Sequence, residues 1–139
     1  MKTRFFALGA CALFAFSCSS DDSDSLDYSK LTRKWYNVSE RVGSTTIPYD
    51  DHEACGKDYI EFMDSNMGKF VDVYGCDGGV ESYESEFTWA REGKTLIIGG
   101  IEEATIRKLN SSTLEISTVY DYDDDGEDDT VILKYTSTP

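Results

Sequence analysis

Residues 82–98 read SYESEFTWAREGKTLII, and this stretch decides the fold. Phe87 and Trp89 fall on one side of an extended chain, with Glu86 and Thr88 on the other. That period of two marks a half-buried strand. Arg91-Glu92-Gly93 breaks the run, and Lys94–Ile98 opens another at once. A parallel neighbour would need a crossover of a dozen or more residues, so these two runs form an antiparallel hairpin.

Working outward, similar runs recur about every ten residues: Lys34–Arg41, Asp58–Met63, Lys69–Gly75, Ala104–Leu109, Thr113–Tyr120 and Thr130–Thr136 join Ser82–Ala90 and Lys94–Ile98. They are rich in Val, Ile, Tyr, Thr and Phe, the residues that suit a pleated surface. Leu114 and Ile116 oppose Glu115 and Ser117, while Val131, Leu133 and Tyr135 share a side away from Lys134. Asn66-Met67-Gly68, Gly99-Gly100 and Asn110-Ser111-Ser112 supply turns too short for helices. A short helix is expected at Tyr28–Thr32, a loop at Pro48–Lys57, and Asp58–Met63 has a spacing that also fits a helical face. The pattern predicts an all-β chain of eight short strands in meander order. Closing them into an antiparallel up-and-down barrel buries one face and removes exposed edges. A two-sheet β-sandwich is the alternative.

The N-terminus carries the second signal. Lys2 and Arg4 precede an apolar segment, Phe5–Phe16, and small Ser17 precedes Cys18. A basic start, an apolar centre and a small residue at the end make a secretory signal. At about 1.5 Å per residue the apolar segment would span roughly 18 Å, too little for a bilayer. Ala15-Phe16-Ser17-Cys18 resembles a bacterial lipobox, which implies cleavage after residue 17 and acyl chains such as palmitate on Cys18. Ser19-Ser20-Asp21-Asp22-Ser23-Asp24 is similar to the signal that exports some lipoproteins to the outer face of the outer membrane. The expected organisation is a signal peptide at 1–17, a lipidated acidic tether at 18–27 and a barrel domain at 28–139. The expected location is the surface of a bacterial outer membrane.

Formal net charge is −14, and losing Lys2 and Arg4 with the signal would make it −16. Such a chain repels phosphates and lacks the basic footprint of a nucleic-acid binder, leaving cations as natural small partners. Of four cysteines, Cys11 belongs to the leader and Cys18 to the lipid site, so Cys55 and Cys76 remain. In an exported domain two thiols point to a disulfide. The rival, a zinc pair, needs further Cys or His ligands, and the chain has only His52.

The order of several blocks carries a resemblance. Leu31-Thr32-Arg33-Lys34-Trp35 opens the first run, and a cysteine precedes Asp58-Tyr59-Ile60-Glu61-Phe62. Phe87-Thr88-Trp89, Leu96-Ile97-Ile98, Ala104–Leu109 and Thr113-Leu114-Glu115-Ile116 follow. Residues 28–137 thus look like the small lipocalin-like domains of bacterial surface lipoproteins. The resemblance implies a cup for a small apolar ligand, with Trp35 either plugging one end or serving as an ordinary core aromatic. Short loops imply a narrow interior, one that an eight-stranded barrel can fill with its own side chains. The alternative function is a scaffold for a protein or glycan partner, with the barrel filled and no internal ligand.

Asp121–Asp129 holds seven acids in nine residues. Asp121, Asp123, Asp125 and Gly126 match the start of a calcium loop, with the Glu127 carbonyl and Asp129 available to complete a shell for Ca2+. Ile132 stands where an EF-hand supplies its bidentate glutamate. A tight hairpin here would set Asp124 against Glu127 and Asp123 against Asp128, so the loop must either open or bind a cation. No nucleophile motif or phosphate loop occurs, and His52 beside Asp51 and Glu53 reads as a surface histidine. The sequence therefore predicts a binding protein and no enzyme.

Overall fold

In a computed structural model the described residues are 26–99 and 102–139. Cys18, the signal segment and most of the tether lie outside them. A 3-10 turn at Tyr28–Lys30 replaces the expected helix over Tyr28–Thr32. The strands are β1 (Lys34–Val42), β2 (Thr45–Pro48), β3 (Tyr59–Phe62), β4 (Met67–Gly75), β5 (Glu81–Glu92), β6 (Thr95–Ile98), β7 (Glu102–Leu109), β8 (Thr113–Tyr120) and β9 (Asp129–Thr136). All neighbours are antiparallel, and β1 pairs with β9 to close the ring. The ambiguous segment after Asp58 is a strand, because Ile60 and Phe62 must alternate inward against Phe70 and Gly68.

Eight strands form the barrel, and β2 is an addition that the sequence did not reveal. Lys34–Tyr36 pairs with β3, while Ser39–Val42 pairs on the same edge with β2, so the two share one slot beside β1. Every residue of β2 is exposed, which leaves no alternation to read, and Pro48 at its end mimics a loop. Its two-residue turn uses Gly43 at φ 56°, a conformation that glycine adopts without steric cost.

One end of the barrel is its floor. The turn over Tyr28–Lys30, the β5–β6 and β7–β8 turns and the C-terminus gather there. Leu26 and Asp27, which belong to the expected tether, also meet the barrel. Leu26 lies against the core, the Asp27 N–H donates to the Leu109 carbonyl at 3.2 Å, and the Asp27 side chain accepts from Ser29. At Gly68 the strands come too close for any side chain. A Cβ there would lie 2.4 Å from the Phe87 ring and 2.7 Å from the Glu61 carbonyl oxygen.

Candidate functional site

The inward side chains divide the barrel into a sealed half and an open half. Leu31, Trp35, Phe62, Leu96, Leu109 and Leu114 are all fully buried toward the floor. The Trp35 indole N–H donates to the Leu31 carbonyl at 2.9 Å, which satisfies its one polar atom inside the core. Phe62 meets Phe87 and Trp89 edge-on, with ring centres 5.8 and 5.5 Å apart. Both readings of Trp35 therefore describe one arrangement, a core aromatic that is also the plug.

Toward the other end the packing thins. The register Ile60↔Phe70, Phe70↔Ser85 and Asp72↔Tyr83 carries the inner face of the β4–β5 hairpin past the rim. Phe70 is 43% exposed and Tyr83 66%, although both hold inward register. Across the mouth, Tyr120 continues the inward line of Ile116 and Thr118 and is 42% exposed. Beneath these residues lies a hollow of about 70 Å³ lined by Ile60, Phe70, Ile98, Ile116, Leu133 and Tyr135 among others. A second hollow, of about 90 Å³, shares Leu133 and Tyr135 and is bordered by Asn37, Glu40 and Tyr49. It adjoins the β1 bulge between Asn37 and Ser39, where one extra residue spreads the ladder.

Tyr135 is the polar group common to both hollows. The residue is only 7% exposed, but every buried side-chain polar atom among the described residues has a partner, so the Tyr135 hydroxyl, which makes no hydrogen bond to the protein there, opens into the hollows. Burial pushes its pKa above the ordinary tyrosine range, and the charge of Glu40 adds to that. Glu40 is half-buried and inward-facing opposite Leu133. Burial, and then the charge of Glu40, raise the Tyr122 pKa, and among the described residues no lysine or arginine forms an ion pair with Glu40.

Cys55 and Cys76 are joined by a disulfide with Cα atoms 5.7 Å apart. It ties the 49–58 loop to the end of β4, and Gly56 lies against Val73 and Val80. His52, expected as a surface residue, is instead half-buried inside this strap. Its Nδ1 accepts the Asp58 backbone N–H at 3.1 Å, and its Nε2 lies 2.8 Å from the Asn37 carbonyl oxygen. A backbone N–H can only donate, so Nδ1 is the acceptor and Nε2 carries the hydrogen. Buried Asp58 accepts from the Val73 N–H at 2.7 Å and from the Tyr49 hydroxyl. Burial, and then that hydrogen bond, raise the Tyr49 pKa beyond the usual range. No sequence pattern marks this group, because its members meet only when β1, β3 and β4 are side by side. Its polar atoms are spent on one another and on the backbone, holding the strap.

The β8–β9 loop takes the open form. Tyr120↔Asp129 is the last pair of the ladder, so residues 121–128 leave it and the opposed like charges of a tight hairpin do not form. Oxygens of Asp121, Asp123 and Asp125 come within 4.8 Å of one another, while Glu127 and Asp129 stand outside that cluster. Both oxygens of Asp121 accept loop N–H groups, from Asp125 at 3.1 Å and Gly126 at 2.9 Å. Asp125 accepts from the Glu127 N–H at 2.8 Å, so two of the three clustered carboxylates also shape the loop.

A family model described as a lipocalin-like domain matches residues 17–116. No curated protein sequence matches the chain. Among solved structures, the chain is similar to a siderocalin, Ex-FABP, described as functioning through dual ligand specificities. Identity is 11%, coverage 78% of this chain and 74% of that one, and the TM-score 0.46. It is also similar to a deswapped triple mutant of bovine odorant-binding protein, at 15% identity, with 77% and 73% of the two chains covered and a TM-score of 0.42.

Proposed function

The chain belongs to the lipocalin-like domain family, and on that footing we propose a lipid-anchored binding protein that takes a small apolar ligand at the open end of its barrel. The observation that carries this reading is the contrast between the ends. The floor is filled, whereas Phe70, Tyr83 and Tyr120 hold inward register and yet face solvent above an apolar hollow. Exposed apolar surface costs free energy in water, roughly 25 cal/mol per Å², and a ligand that covers it recovers that cost. A hollow of about 70 Å³ is well under the roughly 300 Å³ of an enclosing site. The ligand therefore inserts one apolar group and lays the remainder along the β4–β5 wall.

Membrane anchoring through Cys18 and display at the cell surface belong to the same proposal. They rest on the basic and apolar leader, the lipobox and the acidic run behind it. Leu26, where a tether would join, packs at the floor, so an anchored barrel would turn its mouth away from the lipid and draw its ligand from the medium. Incorporation of a palmitate analogue that Cys18→Ser abolishes tests the anchor. Binding is tested by titrating a neutral fluorescent probe, N-phenyl-1-naphthylamine, into the purified protein. Saturable binding lost in Phe70→Asp and kept in Val119→Asp, on the outer face, supports the mouth. Equal loss in both variants, or no saturation, refutes it. The small hollow also favours a second reading, a protein or glycan docking on the same wall.

A further inference from the structure

The electrostatics of the mouth narrow the class of ligand. The β8–β9 loop brings seven acids and no base to the open end, and Asp72, Asp77 and Glu81 on the β4–β5 hairpin add to them. Of the bases, Lys30, Arg33, Lys34, Arg91, Lys94 and Lys108 stand toward the floor, while Arg41 beside the β1–β2 turn and Lys57 in the strap lie nearer the open end. A cleft lined by one sign of charge between low-dielectric walls concentrates ions of the opposite sign. The rings of Phe70, Tyr83 and Tyr120 present faces that also attract cations.

Two groups inside the hollows point the same way. Glu40 faces inward with no cationic partner among the described residues, and the nearest base on that hollow, Lys134, holds outward register opposite Ser39. Tyr135 borders both hollows, and its hydroxyl, with no hydrogen bond from the protein among the described residues, opens into them. A polar atom of a ligand there would take the place of water on that hydroxyl.

We propose that the open end takes a small organic cation with an apolar or aromatic body, its positive charge beside Glu40 under the acidic rim and a polar atom on the Tyr135 hydroxyl. The inference rests on the apolar-mouth reading and adds the sign of the ligand's charge. It assigns the rim acids to attracting the ligand and Glu40 to holding it.

The test compares three probes with one body: 4-phenylbutylammonium, 4-phenylbutanol and 4-phenylbutanoate. Each is titrated by calorimetry into the mature chain from residue 18, with Cys18→Ser so that no detergent is needed. The ammonium should bind about tenfold more tightly than the alcohol, the factor that roughly 1.4 kcal/mol supplies, and the carboxylate weakest. That preference should shrink in 0.5 M salt, where screening shortens to a few ångströms, and in Glu40→Gln, but not in Glu86→Gln on the outer face. Thermal melting of each variant establishes that it is folded. Alcohol or carboxylate binding as tight as the ammonium overturns the cation and leaves the apolar mouth standing. A preference unchanged in Glu40→Gln overturns Glu40 as the anchor. No binding of any probe to folded protein overturns the mouth itself.

Discussion

Replacing Tyr135 by Phe separates binding from stability. The change removes one hydroxyl that opens into the hollows and has no protein partner among the described residues, while the ring and its contacts remain. Removing a paired buried hydroxyl usually costs about 1 kcal/mol, and burying an unpaired one costs roughly 1–3 kcal/mol. Because the hydroxyl borders two hollows that admit water, only part of that second cost is present. At pH 7 Tyr135→Phe should therefore unfold in urea with a stability equal to wild type or up to about 1 kcal/mol higher. Alkaline pH supplies an independent check with a definite sign. The folded-state pKa of Tyr135 lies above its unfolded value of about 10, so the unfolded chain releases its proton first. The native preference is intact below pH 10 and is lost as pH rises above it, by roughly 1.4 kcal/mol at pH 11 from this residue. The variant lacks that loss, so its advantage should widen by about that amount between pH 7 and pH 11. A variant more than about 1 kcal/mol less stable at pH 7 would mean that the hydroxyl is already satisfied, and would remove Tyr135 from the ligand's polar contacts.

Gly68→Ala should destabilise by roughly 3 kcal/mol in chemical denaturation, the upper end of overpacking costs. Its Cβ would enter the Phe87 ring, which is held between Phe62 and Phe70; a loss below about 1 kcal/mol would show that β4 can move away. The paired substitution of Cys55 and Cys76 by Ser should cost roughly 3 kcal/mol for a link separated by 21 residues, read as a lower melting temperature. An unchanged melt would mean that the strap is held by other contacts. Asp58→Ala strands the Tyr49 hydroxyl and the Val73 N–H and should lose roughly 3 kcal/mol, with faster amide exchange at Val73. Val73 protection equal to wild type would contradict that role.

Much of the barrel is legible because its strands alternate. Phe87 and Trp89, Leu114 and Ile116, and Val131, Leu133 and Tyr135 each mark one face, and the short turns between them allow only antiparallel neighbours. β2 escapes because its four residues are exposed on both faces and end in proline. The mouth is harder to read. Phe70 and Tyr83 alternate as core residues do, and only the length of the β4–β5 hairpin carries them beyond the rim. The same limit hides the strap, since His52, Tyr49 and Asp58 belong to a loop and a strand start whose meeting depends on tertiary pairing. Periodicity reports which side a residue faces, and not whether anything covers it.

The proposed ligand site is the open end of the barrel. Its most direct test is a map of backbone amide chemical shifts while 4-phenylbutylammonium is added to the isotopically labelled chain from residue 18, carrying Cys18→Ser. The shifts should move at Phe70, Tyr83, Thr118 and Tyr135, while those at Leu31, Trp35 and Leu109 on the floor stay fixed. Changes centred on the floor or on the outer wall around Arg41 and Ile132, with the mouth unmoved, would contradict it.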